Sequence, residues 1–171
     1  MLDFIVSDLR AYLQDALALL LCLAAFRWGA GPERIIAFVW FFFFKIVSRS
    51  YEFLIGSQFQ LTEIDLFFAV NDLVAGLLLL FIALNANRNY PLWIAAMQLL
   101  AIAAHAARGI TEAISPVAYA VMIIAPSWLQ LFILAFGLAR HVRREKAHGS
   151  YREWRIPTRL GGLIAAREVR G

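Results

Sequence analysis

Apolar residues in this chain fall into five long runs separated by short polar breaks, and no run alternates with the period of two that a half-buried strand shows. The runs cover about residues 13–30, 34–56, 62–84, 91–108 and 115–140. At 1.5 Å per residue, stretches of roughly 17–25 residues cross a hydrocarbon core of about 30 Å, some of them barely. The breaks carry the chemistry of turns and caps. Gly29, Ala30, Gly31 and Pro32 part the first run from the second, and residues 57–61 form a polar link to the third. Thr62, Glu63, Ile64 and Asp65 resemble a helix start with acids in its first turn. Residues 85–90 are rich in asparagine, and Pro91 suits the first turn of the fourth run, which Gly109 closes. Ser115 and Pro116 open the fifth, and Pro126 inside it predicts a kink.

Composition fixes the solvent. The chain has 171 residues, enough for one domain, and 62% of them are apolar, where soluble domains run about 45–50%. Only 16% are charged and the mean hydropathy is +0.70, so a water-soluble fold of this size would leave large apolar patches exposed. Disordered and collagen-like chains are excluded by the same numbers. Cys22 has no second cysteine to pair with in this sequence, so no disulfide framework is inferred and it reads as a small core hydrophobe. The first residues lack a basic leader segment and read as mature sequence. The expected fold is all-α, a polytopic transmembrane bundle of about five spans over residues 1–140, followed by a basic cytoplasmic or interfacial tail over 141–171.

The basic residues set the orientation, because Lys and Arg near span ends collect on the cytoplasmic side. From position 140 onward there are nine Lys or Arg against three Glu. That places the C-terminus in the cytoplasm and, with five spans, the N-terminus outside. Asp3, Asp8 and Asp15 against a single Arg10 agree. Arg27, Arg34 and Arg88 then fall inside, and Glu63, Asp65 and Glu112 outside. Tyr12, Tyr51 and Tyr119 are expected near the outer interface, with Trp28, Tyr90 and Trp93 near the inner one. The fourth span is the weakest, and losing it would put both termini inside.

The polar residues inside the spans are the candidates for function, since each ionisable group there costs about 2.5–3.5 kcal/mol and needs a partner. Counting 1.5 Å per residue from the span ends puts Lys45, Asp72 and His105 all roughly 9–13 Å below the outer face. Helical spacing groups them into stripes: Lys45, Arg49 and Glu52 on the second span, Asp65 and Asp72 on the third, Gln98, His105 and Glu112 with the adjacent Arg108 on the fourth. Tyr119, Ser127 and Gln130 extend the set from the fifth. Turned inward, the stripes predict a polar cluster of Lys45, Arg49, Asp72, Gln98, His105 and Arg108 in the outer half of the bundle, with Lys45 and Asp72 as its buried ion pair. The inner half, lined by residues 77–80 and the alanines of the fourth span, is expected to be dry.

Two classes of function compete for this cluster. Polar contacts between membrane helices commonly just hold a bundle together or dock a partner, at about 0.6 kcal/mol each and at most about 2. Alternatively, the cluster lines an outward-facing cavity of a small transporter or channel, where Asp72 and His105 have the chemistry of a proton relay. An enzyme is not expected: there is no Ser/His/Asp set, HExxH, P-loop or GxGxxG. No cofactor or metal is expected either, since His141 and His148 lie in the tail, far from His105. The aromatic block Phe41, Phe42, Phe43 and Phe44 reads as lipid and core packing, with a quinone or pigment contact as the sharper alternative. Trp40 and Trp128 lie deep, where an indole N–H needs a partner.

In the tail, Arg143, Arg144, Arg152, Arg155 and Arg159 alternate with Tyr151 and Trp154, yet anchoring on anionic headgroups explains them without nucleic acid. Leu160, Leu163 and Ile164 predict a short amphipathic segment. The expected partners are membrane lipids and a protein partner or second copy of the chain, with no nucleic acid.

The run from Ala86 to Trp93, with Gln98, Ala104, His105, Ala106, Ala107 and Arg108 and then Pro116 to Met122, resembles a group of small multispanning proteins of bacterial inner membranes with no assigned activity. The likeness covers about residues 25–140. It implies class and location alone. Together these readings favour a non-enzymatic accessory or structural subunit of the inner membrane.

Overall fold

The computed structural model describes residues 8–55, 66–110, 115–149 and 152–155. Among these the chain is helical almost throughout. Helix α1 (Asp8–Trp28) turns at Gly29 and Ala30 into α2 (Gly31–Phe41), which passes through a π-helical segment (Phe42–Val47) into α3 (Ser48–Ile55). Then follow α4 (Leu66–Asn85), α5 (Tyr90–Ile110) and α6 (Pro116–His148). Four helices, α1, α4, α5 and α6, are long and apolar enough to cross a membrane. They mark the chain as an integral membrane protein with an all-α bundle fold.

The second expected span is helical but not one regular helix. Residues 31–55 hold Glu33, Arg34, Lys45, Arg49 and Glu52, and the π segment divides them. A π turn frees a backbone carbonyl that must find another donor. Here Phe43 O accepts from Ser48 Oγ at 3.0 Å and from Asn71 Nδ2 at 3.2 Å. The fifth expected span also differs, since α6 does not stop near residue 140 but runs to His148, ending where Gly149 takes φ +75°. Its basic last turns project past the apolar run. The expected start of the third span at residues 62–65 lies outside the described residues, as do Glu112 and the amphipathic segment around Leu160.

Caps follow the sequence where they are described. Ser115 Oγ accepts from Ala118 N–H at 3.2 Å at the start of α6, and Pro91 sits in the first turn of α5. The passes close into a ring in chain order: α1 packs on α2, α2 on α4, α4 on α5, α5 on α6, and α6 back on α1. Gly76 lets α4 and α5 approach closely, for a Cβ there would stand 2.7 Å from Ile102 Cδ1.

The outer faces of the helices carry large exposed apolar residues such as Leu20, Leu77, Phe81, Trp93 and Phe136, as expected of lipid-facing surface. The expected dry lining of residues 77–80 needs correcting. At 100° per residue only Leu79 points into the core, while Leu77 and Leu78 face outward. The alanines of α5 divide likewise, with Ala95, Ala101 and Ala104 buried and Ala96, Ala103 and Ala106 exposed.

Candidate functional site

Near the N-terminal end of α1 the ring encloses a cavity of about 430 Å³. Its deep wall is made by Gln98, Gln130 and Trp40, each 2% exposed. Arg10 and Glu52 stand at its shallower side, with Lys45, Asn71 and Asp72 between. Lys45, Asp72 and His105 each lie about fourteen residues from the turn at the far end of their helices, hence about 21 Å from it at 1.5 Å per residue.

The expected residues meet at one level but pair differently. Lys45 does not reach Asp72. It forms an ion pair with Asp15 on α1 and lies 5.4 Å from the centre of the Trp40 ring. Arg49 Nη2 joins the same carboxylate at 3.2 Å, and its Nη1 reaches Glu52 at 3.4 Å. The physical reason is geometric: α1 packs beside α2, and the π segment places Lys45 and Arg49 toward it. Asp15, read from the sequence as a flanking acid, is the counter-ion for both.

Asp72 is instead held by His105, whose Nε2 lies 3.2 Å from Asp72 Oδ2. The hydroxyl of Tyr119 lies 2.8 Å from Nδ1 of the same ring. An ionised carboxylate can only accept, so in that state His105 donates from Nε2 and accepts at Nδ1 from the Tyr119 O–H. Tyr119 was expected in the outer aromatic belt, but it is fully buried. Its ring packs against that of His105, whose plane it meets at 80°. The Arg108 guanidinium lies over the Tyr119 ring, 5.8 Å from its centre.

Beneath this chain runs a second one. Gln98 Nε2 donates to the Asp72 backbone carbonyl at 3.2 Å, Gln130 Nε2 donates to Gln98 Oε1 at 2.8 Å, and Trp40 Nε1 donates to Gln130 Oε1 at 2.8 Å. One network thus ties α2, α4, α5 and α6 together. Gln14 Nε2 donates to Ser127 Oγ at 2.7 Å and brings in α1. Each buried amide and indole finds a partner on another helix, which a low-dielectric interior demands.

One turn further in, the polar lining stops. Ile36, Leu79, Ile94, Leu131 and Leu134 are all buried and pack as a single apolar layer. Beyond the layer lies a second buried ion pair, Glu33 with Arg88, the carboxylate being fully buried. Sequence reading assigned Arg88 to a membrane flank and passed over Glu33. The two lie in separate turns, and no periodicity links them. Around them the 152–155 segment folds back on the bundle. Asn87 N–H donates to the Glu153 carbonyl at 3.0 Å, Arg155 N–H to the Asn85 carbonyl at 2.8 Å, and Gly31 N–H to Glu153 Oε2 at 2.9 Å. The C-terminal segment therefore clasps the α1–α2 and α4–α5 turns at once.

Among the described residues no group of three or more His, Cys, Asp or Glu is placed to hold a metal ion. No protein-family model, no curated protein and no solved structure matches this chain. The likeness to small bacterial inner-membrane proteins gains nothing from these comparisons, and the site must be read from its own geometry.

Proposed function

We propose that this integral membrane protein is a non-enzymatic accessory or structural subunit of the bacterial inner membrane, not a conduit. The observation that supports it is the apolar layer of Ile36, Leu79, Ile94, Leu131 and Leu134, which separates the polar cavity from the Glu33–Arg88 pair. Water and ions have no polar lining to follow across that layer. The buried polar side chains are engaged with one another across helices, the pattern of a bundle held rigid for its neighbours. The exposed small side chains of α5, Ala96 and Ala103, give a face where a second helix packs closely. An N-terminus outside and a C-terminus in the cytoplasm fit the charge: at the end of the bundle holding the clasp, the described residues include nine Lys or Arg and three Glu.

One observation favours a second reading. The 430 Å³ cavity, with Lys45 and Asp72 on its wall and His105 behind, has the size and polarity of a small-molecule site. In that reading the protein is a small transporter or channel seen with its inner side shut. The test is the Asp72→Asn, His105→Ala double variant in proteoliposomes. The structural reading expects a lower melting temperature and no proton or solute flux in either protein. A wild-type flux that the double variant abolishes would decide for transport.

A further inference from the structure

We infer that the slot between the α4–α5 turn and the last turns of α6 is a binding site for the phosphate headgroup of an anionic phospholipid. Three observations carry it. First, Phe136, Arg140 and Arg144 follow one another at i, i+4 and i+8 and so form a single line along α6. The line reads apolar and then twice cationic, in the order a lipid has acyl chain and phosphate. Phe136 is 65% exposed on the lipid-facing surface, and both arginines are exposed beyond it. A guanidinium offers a planar fork of donors that matches phosphate oxygens.

Second, the slot is built. It encloses about 190 Å³, with Asn87 and Asn89 opposite the arginines. Its floor is the Tyr90 ring laid on Gly137, where a Cβ would come within 2.8 Å of the ring, so only glycine permits the contact. The asparagine side is pinned, because Asn87 donates through its backbone N–H to Glu153 O and through Nδ2 to Arg152 O at 3.4 Å. A site held this way loses little freedom when a ligand enters.

Third, the slot sits where headgroups lie. It is at the end of the apolar stretches of α4 and α5, level with the exposed Trp93 at the start of α5. Basic pockets between helices on the cytoplasmic side are suited to anionic headgroups. Lipid binding at this slot is independent of an accessory or a transport role for the bundle.

The test uses the purified full chain in mild detergent, titrated with fluorescent phosphatidylglycerol and, separately, phosphatidylcholine. The expected result is about a tenfold preference for phosphatidylglycerol, from about fivefold per arginine near an anionic group, not fully additive. In the Arg140→Gln, Arg144→Gln variant the preference falls to about twofold or less, with an unchanged melting temperature. The Arg143→Gln, Arg155→Gln variant removes the same charge from residues outside the slot and keeps the preference. Arg140→Lys with Arg144→Lys keeps part of it. Equal binding of the two lipids, or equal loss in both glutamine variants, overturns the site in favour of a diffuse basic surface. Displacement of the lipid by inorganic phosphate at millimolar concentration overturns the lipid as ligand.

Discussion

Glu33 is the residue with the most at stake. It lies in the first turn of α2, where a negative charge suits the helix end, and it is fully buried beside Arg88. Removing one partner of a buried pair leaves an uncompensated charge, which costs about 3–5 kcal/mol. Arg88→Ala is therefore expected to destabilise by that amount in denaturant unfolding of the detergent-solubilised protein. Adding Glu33→Gln should recover most of the loss; if it does not, the pair is not what stabilises this end. At this scale the sequence told only part of the story. Helical spacing put Lys45, Asp72 and His105 at one height, because depth follows from rise per residue. It could not pair them, because pairing depends on which helices are neighbours. Asp15 was read as a flanking acid, and Tyr119 both as a belt residue and as an extension of the polar set; they prove to be the partners of Lys45 and His105.

At the scale of the helix, α4 and α5 show how close contact is encoded. Gly76 faces Ile102 and Gln98 across the interface, and Gln98 donates in turn to the Asp72 carbonyl. A methyl at position 76 would stand 2.7 Å from the end of a flexible isoleucine and 3.2 Å from Gln98 Cγ, so Gly76→Ala needs a small shift of both and should cost less than a larger residue. Gly76→Leu must push the helices apart and is expected to cost about 1–3 kcal/mol, the usual range for overpacking. Because it would also move Gln98, the thermal unfolding of Gly76→Leu and Gln98→Leu should be strongly non-additive when combined. The helices themselves were legible, as apolar runs with Ser115, Pro116 and Pro91 at their starts. The π segment was not. Four consecutive phenylalanines pattern alike at any pitch, and the freed Phe43 carbonyl is satisfied by Ser48 Oγ and by Asn71 Nδ2 of α4, which donate to it and stabilise the wider turn.

At the scale of the molecule, the bundle has a wet end and a clasped end with an apolar layer between them. The division of charge follows it: among the described residues, Arg10, Lys45, Arg49 and Arg108 stand with Asp15, Glu52 and Asp72 at the wet end. The basic excess at the other end was plain in the sequence, whereas the clasp was hidden. Pairing of residues 152–155 with a turn some sixty-five positions earlier leaves no periodic trace. Ending the chain after Gly149 removes Glu153 from the Gly31 N–H and both backbone bonds to the α4–α5 turn. Each net hydrogen bond is worth about 0.5–1.5 kcal/mol, so the truncated protein is expected to lose about 2–4 kcal/mol, with faster proteolysis at residues 29–30 and 86–89 as the readout. Equal cleavage in both forms would show that the turns hold without it.

The same segment imposes an order on assembly. Residues 152–155 are made after every helix they bridge, so both hairpins must already stand side by side before their turns can be laced together. A ribosome-bound chain halted short of that point would lack the bonds that join the two turns, for which residues 152–155 act as the drawstring.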